Sequence, residues 1–130
     1  MIRTLGGAAA GIAIAIVLMM VVEGVGNQLF PPPAIDLNNP NAPAALPLAN
    51  QLFPILGRFV ATLVGGWFAI KISRLEWTAW VVAVSVLVGE LTDYLLGQHQ
   101  AWVMAAGIIA PILGALIAQK LCRRSTRASA

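Results

Sequence analysis

Charge is what this chain has least of. Only 10% of its 130 residues are Asp, Glu, Lys or Arg, while 59% are hydrophobic. A soluble domain carries about a quarter charged residues. Mean hydropathy is +0.85, so the apolar excess is expected to face lipid, and the length leaves room for about four spans of roughly 20 residues. There is one cysteine, Cys122, which excludes an intrachain disulfide and leaves the redox compartment unread. The single histidine, His99, excludes two-histidine haem ligation within one chain.

Catalytic motifs are missing as well. There is no phosphate-binding loop, no Gly-x-Ser-x-Gly, no His-Glu-x-x-His and no Cys-x-x-Cys. Gly24-Val25-Gly26 lacks the third glycine and the flanking strand of a nucleotide fingerprint. Glu90, Asp93 and His99 lack the ligand spacing of known metal motifs. The expectation is a protein that is not an enzyme and holds no cofactor or metal.

What is present is a single membrane domain over 1–130, with spans at about 5–30, 51–72, 77–96 and 101–121. The 5–30 run exceeds the roughly 7–15 apolar residues of a signal peptide, so it reads as a retained span. Pro31-Pro32-Pro33 opens an outer proline-rich loop over 31–50, because proline cannot continue a helix. A short surface helix is expected at 42–48, and Pro54 is expected in the first turn of the second span, where a missing N–H costs little.

The net charge of +3 is a matter of topology. Seven of the eight basic residues fall at one side: Arg3, Lys71, Arg74, Lys120, Arg123, Arg124 and Arg127. The positive-inside rule then places both termini in the cytoplasm. The basic tail reads as a topology signal and an anionic-lipid contact, not a nucleic-acid patch. Trp67, Trp77 and Trp80 sit toward the inner interface, with Tyr94 and Trp102 toward the outer one.

Small residues recur at helical spacing, as Gly7 and Gly11, Ala61 and Gly65, and Ala106, Ala110, Gly114 and Ala118. Such stripes let helices approach closely in lipid. They fit packing within the bundle, against another copy as a homo-oligomer, or against a membrane-complex partner. The sequence leaves these open.

Four ionisable residues interrupt the apolar runs: Glu23, Arg58, Glu90 and Asp93. Counting 1.5 Å per residue puts the first three roughly 10 Å below the outer boundary, with Asp93 one turn nearer the surface. Glu23 and Asn27 share a face, as do Arg58 and Thr62, and Glu90 and Asp93. A charge at this depth costs on the order of 2–3 kcal/mol even on lenient scales, so the four are expected to face one another. The sharpest expectation is an ion pair between Glu23 and Arg58. Three acids then face one arginine, and the surplus must be protonated, bind a cation or reach water. Glu90 is the leading candidate for that surplus, and His99 stands in the turn above. The candidate ligand or ion site is thus Glu23, Asn27, Arg58, Glu90, Asp93 and His99.

Several short motifs resemble a family of small bacterial four-span inner-membrane proteins. They are Glu23-Gly24, the Pro31-Pro32-Pro33 loop with Asp36-Leu37-Asn38, Gly65-Gly66-Trp67, and His99-Gln100-Ala101-Trp102 leading to Pro111 and Gly114. The resemblance covers most of the chain and implies fold more than activity. In size and span count the chain is also similar to the small multidrug resistance transporters, whose first-helix glutamate exchanges protons for cationic drugs. Glu23 is its counterpart here. The departures are its place near the outer end, its expected arginine partner, the long outer loop and the strong charge bias.

The expected fold is an all-α, antiparallel four-helix transmembrane bundle with both termini cytoplasmic, in a bacterial inner membrane. The expected function is binding or transport of a proton, cation or small ligand by a polar layer near the outer face. The alternative is a structural or accessory subunit of a larger membrane complex.

Overall fold

The computed structural model describes residues 1–31, 47–96 and 101–128. Within them the chain forms four helices: α1 (Ile2–Leu29), α2 (Leu48–Ser73), α3 (Thr78–Leu96) and α4 (Ala101–Ala128). All four are long and apolar enough to cross a membrane. The chain is therefore read as a multi-pass membrane protein built as a helical bundle. Most of the proline-rich loop, the surface helix expected at 42–48 up to residue 46, and the turn holding His99 lie outside the described residues.

The helix ends follow local chemistry. Phe30 closes α1, its N–H donating to the Gly26 carbonyl at 2.8 Å, and Pro31 follows directly. The Asn50 side chain donates to the Phe30 carbonyl at 2.6 Å, tying the end of α1 to the start of α2. Because α2 begins at Leu48, Pro54 falls in its second turn, not the first as expected. At the other end Arg74 takes a left-handed conformation, φ 62°, and donates its N–H to the Ile70 carbonyl. The tight connection is pinned by the Ser73 and Thr78 hydroxyls, 2.9 Å apart, and by Thr78 Oγ1 donating to the Leu75 carbonyl at 2.7 Å. The α4 helix continues past the apolar run, so the basic tail is helical to Ala128.

Packing is set by the small residues. A Cβ on Gly11 would lie 2.6 Å from the Gly65 carbonyl, and one on Gly7 would lie 2.9 Å from that of Ala69. Further along, Gly57 meets Val22 and Gly26 meets Phe53. Residue numbers therefore rise along α1 as they fall along α2. Gly114 packs on Phe59, Thr62 and Leu63, and Gly66 on Ala79 and Ala118. The three small-residue stripes are thus used within the chain. Helices α2 and α3 touch each other and both flanks, while α1 and α4 do not meet among the described residues. One apolar cluster joins α1, α2 and α3 through Ala15, Ala61, Ala69, Val82 and Val86. A second joins α2, α3 and α4 through Ile70, Ala79, Ala83, Ala115 and Cys122.

The end holding Lys71, Arg74 and the α4 tail is strongly basic. Its acid, Glu76, is bound by Arg123, whose Nη2 lies 2.6 Å from Oε2 and whose Nε donates to both carboxylate oxygens. Those hydrogen bonds and the guanidinium charge hold the Glu76 carboxyl below its ordinary value. The pair is exposed, so it orients the α3 and α4 ends more than it stabilises them.

Candidate polar site between α2, α3 and α4

The site grows from Arg58, placed in the third turn of α2 and buried. Position 58 lies on the stripe that includes Gly65, which faces Val82 of α3 as well as α1. The guanidinium therefore turns toward α3. Its Nε lies 3.4 Å from Glu90 Oε2, and its Nη2 lies 4.0 Å from Asp93 Oδ2. Glu90 and Asp93 are three apart on α3, so one arginine reaches both. Their surroundings differ sharply. The Glu90 side chain is 0% exposed and that of Asp93 is 66% exposed.

Tyr94, one turn beyond Glu90, closes the site from the far end. Its hydroxyl donates to Glu90 Oε1 and also stands 3.4 Å from the Val103 carbonyl of α4. The second helix wall is Gly107. A Cβ there would run into Glu90 Oε1 and the Tyr94 hydroxyl and lie 2.7 Å from Glu90 Cδ. Only a glycine lets α4 close over the carboxylate. Three buried side-chain atoms in this region, Arg58 Nε, Thr62 Oγ1 and Glu90 Oε2, have no hydrogen-bond partner. Buried polar atoms are nearly always satisfied. Arg58 and Glu90 are thus paired by charge and distance but not by a formed hydrogen bond.

The expected ion pair between Glu23 and Arg58 is not formed, because Arg58 faces Glu90 and Asp93 instead. Glu23 and Arg58 do stand at one level along the helices: Gly57, next to Arg58, packs on Val22, next to Glu23. They do not point at each other. Each residue turns the helix by about 100°, so Glu23 is rotated off the α1 stripe that meets α2. Glu23 is half-buried and Asn27 is exposed. Neither joins the Arg58 cluster, and His99 lies outside the described residues. Of the sequence-derived set, the structure brings together Arg58, Glu90 and Asp93.

Tyr94, Gly107 and the Val103 carbonyl were missed. A signal existed for two of them. Tyr94 is four residues after Glu90, which puts both on one helix face. Gly107 is six residues into α4, at the depth where Glu90 lies six residues before the end of α3.

Replacing Gly107 with alanine is expected to destabilise the protein by about 1–3 kcal/mol, the usual cost of overpacking. Gly89, exposed on α3 with nothing within 4 Å of its added Cβ, is the control. Gly89→Ala should be neutral or slightly stabilising. Thermal unfolding in mild detergent measures both, and equal effects would contradict the close approach at Gly107.

No protein family, curated protein or solved structure matches this chain, so its functional reading rests on the geometry of the site.

Proposed function

We propose that this is a non-enzymatic bacterial inner-membrane protein, an antiparallel four-helix bundle with both termini cytoplasmic. Its polar layer binds a proton, cation or small ligand from the outer side and carries it across the membrane. The charge bias supports the orientation, because the basic end then faces the cytoplasm. The observation that carries the binding reading is Arg58 shared by a buried carboxylate and an exposed one. With all three groups ionised the cluster has one negative charge in excess, and its exposed member, Asp93, opens on the outer side. Ionisable residues inside a membrane are costly, and function is the default explanation for them. From the small multidrug resistance transporters this reading keeps only the idea of an exchanging membrane carboxylate. It moves that carboxylate from Glu23 to Glu90.

Reconstitution into liposomes tests the proposal. A proton or cation gradient is imposed, and flux is followed with a pH dye and with cation-sensitive dyes. Flux in the wild type should fall to the protein-free baseline in Glu90→Gln. Wild-type flux in both Glu90→Gln and Asp93→Asn, or no binding and no flux in the wild type, would refute it.

One observation favours a second reading, an accessory subunit. Glu23 is half-buried and makes no ion pair among the described residues, on a flanking helix that touches only α2 and α3. A cationic residue of a partner helix would complete it. Under that reading Glu23→Gln lowers co-purification of a partner under gentle extraction and leaves flux unchanged.

A further inference from the structure

Each group that serves ionised Glu90 has a second acceptor within reach. Arg58 lies 3.4 Å from Glu90 through Nε, and its Nη2 is 4.0 Å from Asp93. The Tyr94 hydroxyl carries one hydrogen, which Glu90 Oε1 takes, yet the Val103 carbonyl is 3.4 Å away. If Glu90 is neutral, Asp93 still compensates Arg58. The tyrosine hydrogen turns to Val103, and the tyrosine oxygen accepts from the carboxyl O–H. Neither change strands a charge or a donor. A fixed structural ion pair needs partners for one state only, since removing one member leaves the other uncompensated.

We propose that Glu90 is a reversible proton-binding site fed from the Asp93 end, and that the species held by the polar layer is the proton. This deepens the binding reading above and rests on it. The step is simple: a proton from water at the outer end adds to a lone pair of the Glu90 carboxylate, and the charge of Arg58, Glu90 and Asp93 together goes from −1 to 0. A metal cation suits the site poorly. Hard cations take about six or more oxygen ligands. Here Oε1 is engaged by Tyr94 and a guanidinium stands against Oε2. Among the described residues no three His, Cys, Asp or Glu side chains converge on a metal position.

Among the described residues, the groups facing Glu90 are few. From α2 comes Arg58, from α3 come Asp93 and Tyr94, and from α4 come Gly107 and the Val103 carbonyl. No residue from 101 to 119 of α4 is ionisable. The membrane-embedded ionisable group of α1 is Glu23, which pairs with none of these among the described residues.

The test is infrared titration of the full chain in bilayers, with glutamate labelled at its carboxyl carbon. The Glu23→Gln, Glu76→Gln double variant retains glutamate only at position 90. In it, a label-shifted protonated-carboxyl band should grow as the outer bath is acidified. The band should vanish in Glu90→Gln. Asp93→Asn strands Arg58 when Glu90 is protonated, so reaching the same band should take roughly tenfold more protons. Tyr94→Phe removes a charge-assisted donor to the ionised form, which outweighs the weaker neutral-form hydrogen bond lost with it, and should take roughly threefold to tenfold fewer. Absence of the labelled band, its survival in Glu90→Gln, or shifts of the same sign in Asp93→Asn and Tyr94→Phe would overturn the proposal. The two readings fail separately. Cation flux without the band sinks the proton assignment and leaves transport standing; the band without flux does the reverse.

Discussion

Replacing Arg58 with leucine is expected to cost roughly 3–5 kcal/mol of stability, because it leaves a buried carboxylate without its cation. The argument starts from burial. Glu90 has no side-chain exposure, and Arg58 Nε is the cationic group beside its Oε2. Tyr94 gives Oε1 a donor but no charge. Asp93, the other acid near Arg58, then adds like-charge repulsion. The loss should depend on pH with a definite sign. The folded variant can relieve the stranded charge by holding a proton on Glu90, which the unfolded chain does not need. Protons bound only by the folded state stabilise it, so the deficit should shrink as pH falls.

The double variant Arg58→Leu, Glu90→Leu separates charge from packing. Buried ion pairs are often replaced by apolar residues at little cost, because two desolvation penalties vanish together. The double variant should therefore recover most of the stability lost by Arg58→Leu and lose its pH dependence. Detergent-denaturant titration followed by circular dichroism reads both. Additive single-variant losses in the double variant would mean that Arg58 and Glu90 do not interact.

The difference between what was legible and what was not is a matter of direction. Spans could be read because an apolar run of this length has no other use. Depth could be read because helical rise is constant, and the contact of Val22 with Gly57 puts Glu23 and Arg58 at one level. The side of the helix was harder. In water an apolar stripe marks the buried face, but in lipid the exposed face is apolar too, as Ile16, Met20 and Val25 show on α1. Hydrophobicity therefore does not say which way Glu23 points. Small residues do: Gly7, Gly11, Ala15 and Gly26 are the buried positions of α1, and Glu23 is off their line. Where the α4 helix ends was not legible from the apolar run, for a related reason. Lysine and arginine end a lipid-compatible run, yet both are good helix formers, so the helix outlasts the span.

The second large effect lies on that line of small residues. Replacing Gly11 with leucine is expected to cost roughly 3 kcal/mol or more, at the upper end of overpacking losses, and to weaken the docking of α1. Gly11 and Gly65 meet backbone to backbone. A Cβ on Gly11 would lie 2.6 Å from the Gly65 carbonyl, 2.7 Å from Ala69 Cβ and 2.9 Å from Val82 Cγ2. Conversely, a Cβ on Gly65 would lie 2.5 Å from the Gly11 carbonyl. A backbone cannot swing aside as a side chain can, so the helices must separate. Between membrane helices attraction comes from close packing, since lipid tails are as apolar as the side chains. Separation therefore loses dispersion along the whole of α1 and not at one contact. The control is on the same helix. Gly6 and Gly24 have nothing within 4 Å of an added Cβ, and leucine at either should stay within about 0.5 kcal/mol of the wild type or stabilise it. Denaturant titration of Gly11→Leu beside Gly6→Leu compares the same chemical change, with the same gain in helix propensity. Only the neighbour differs, so equal midpoints would contradict the α1–α2 crossing at Gly11 and Gly65.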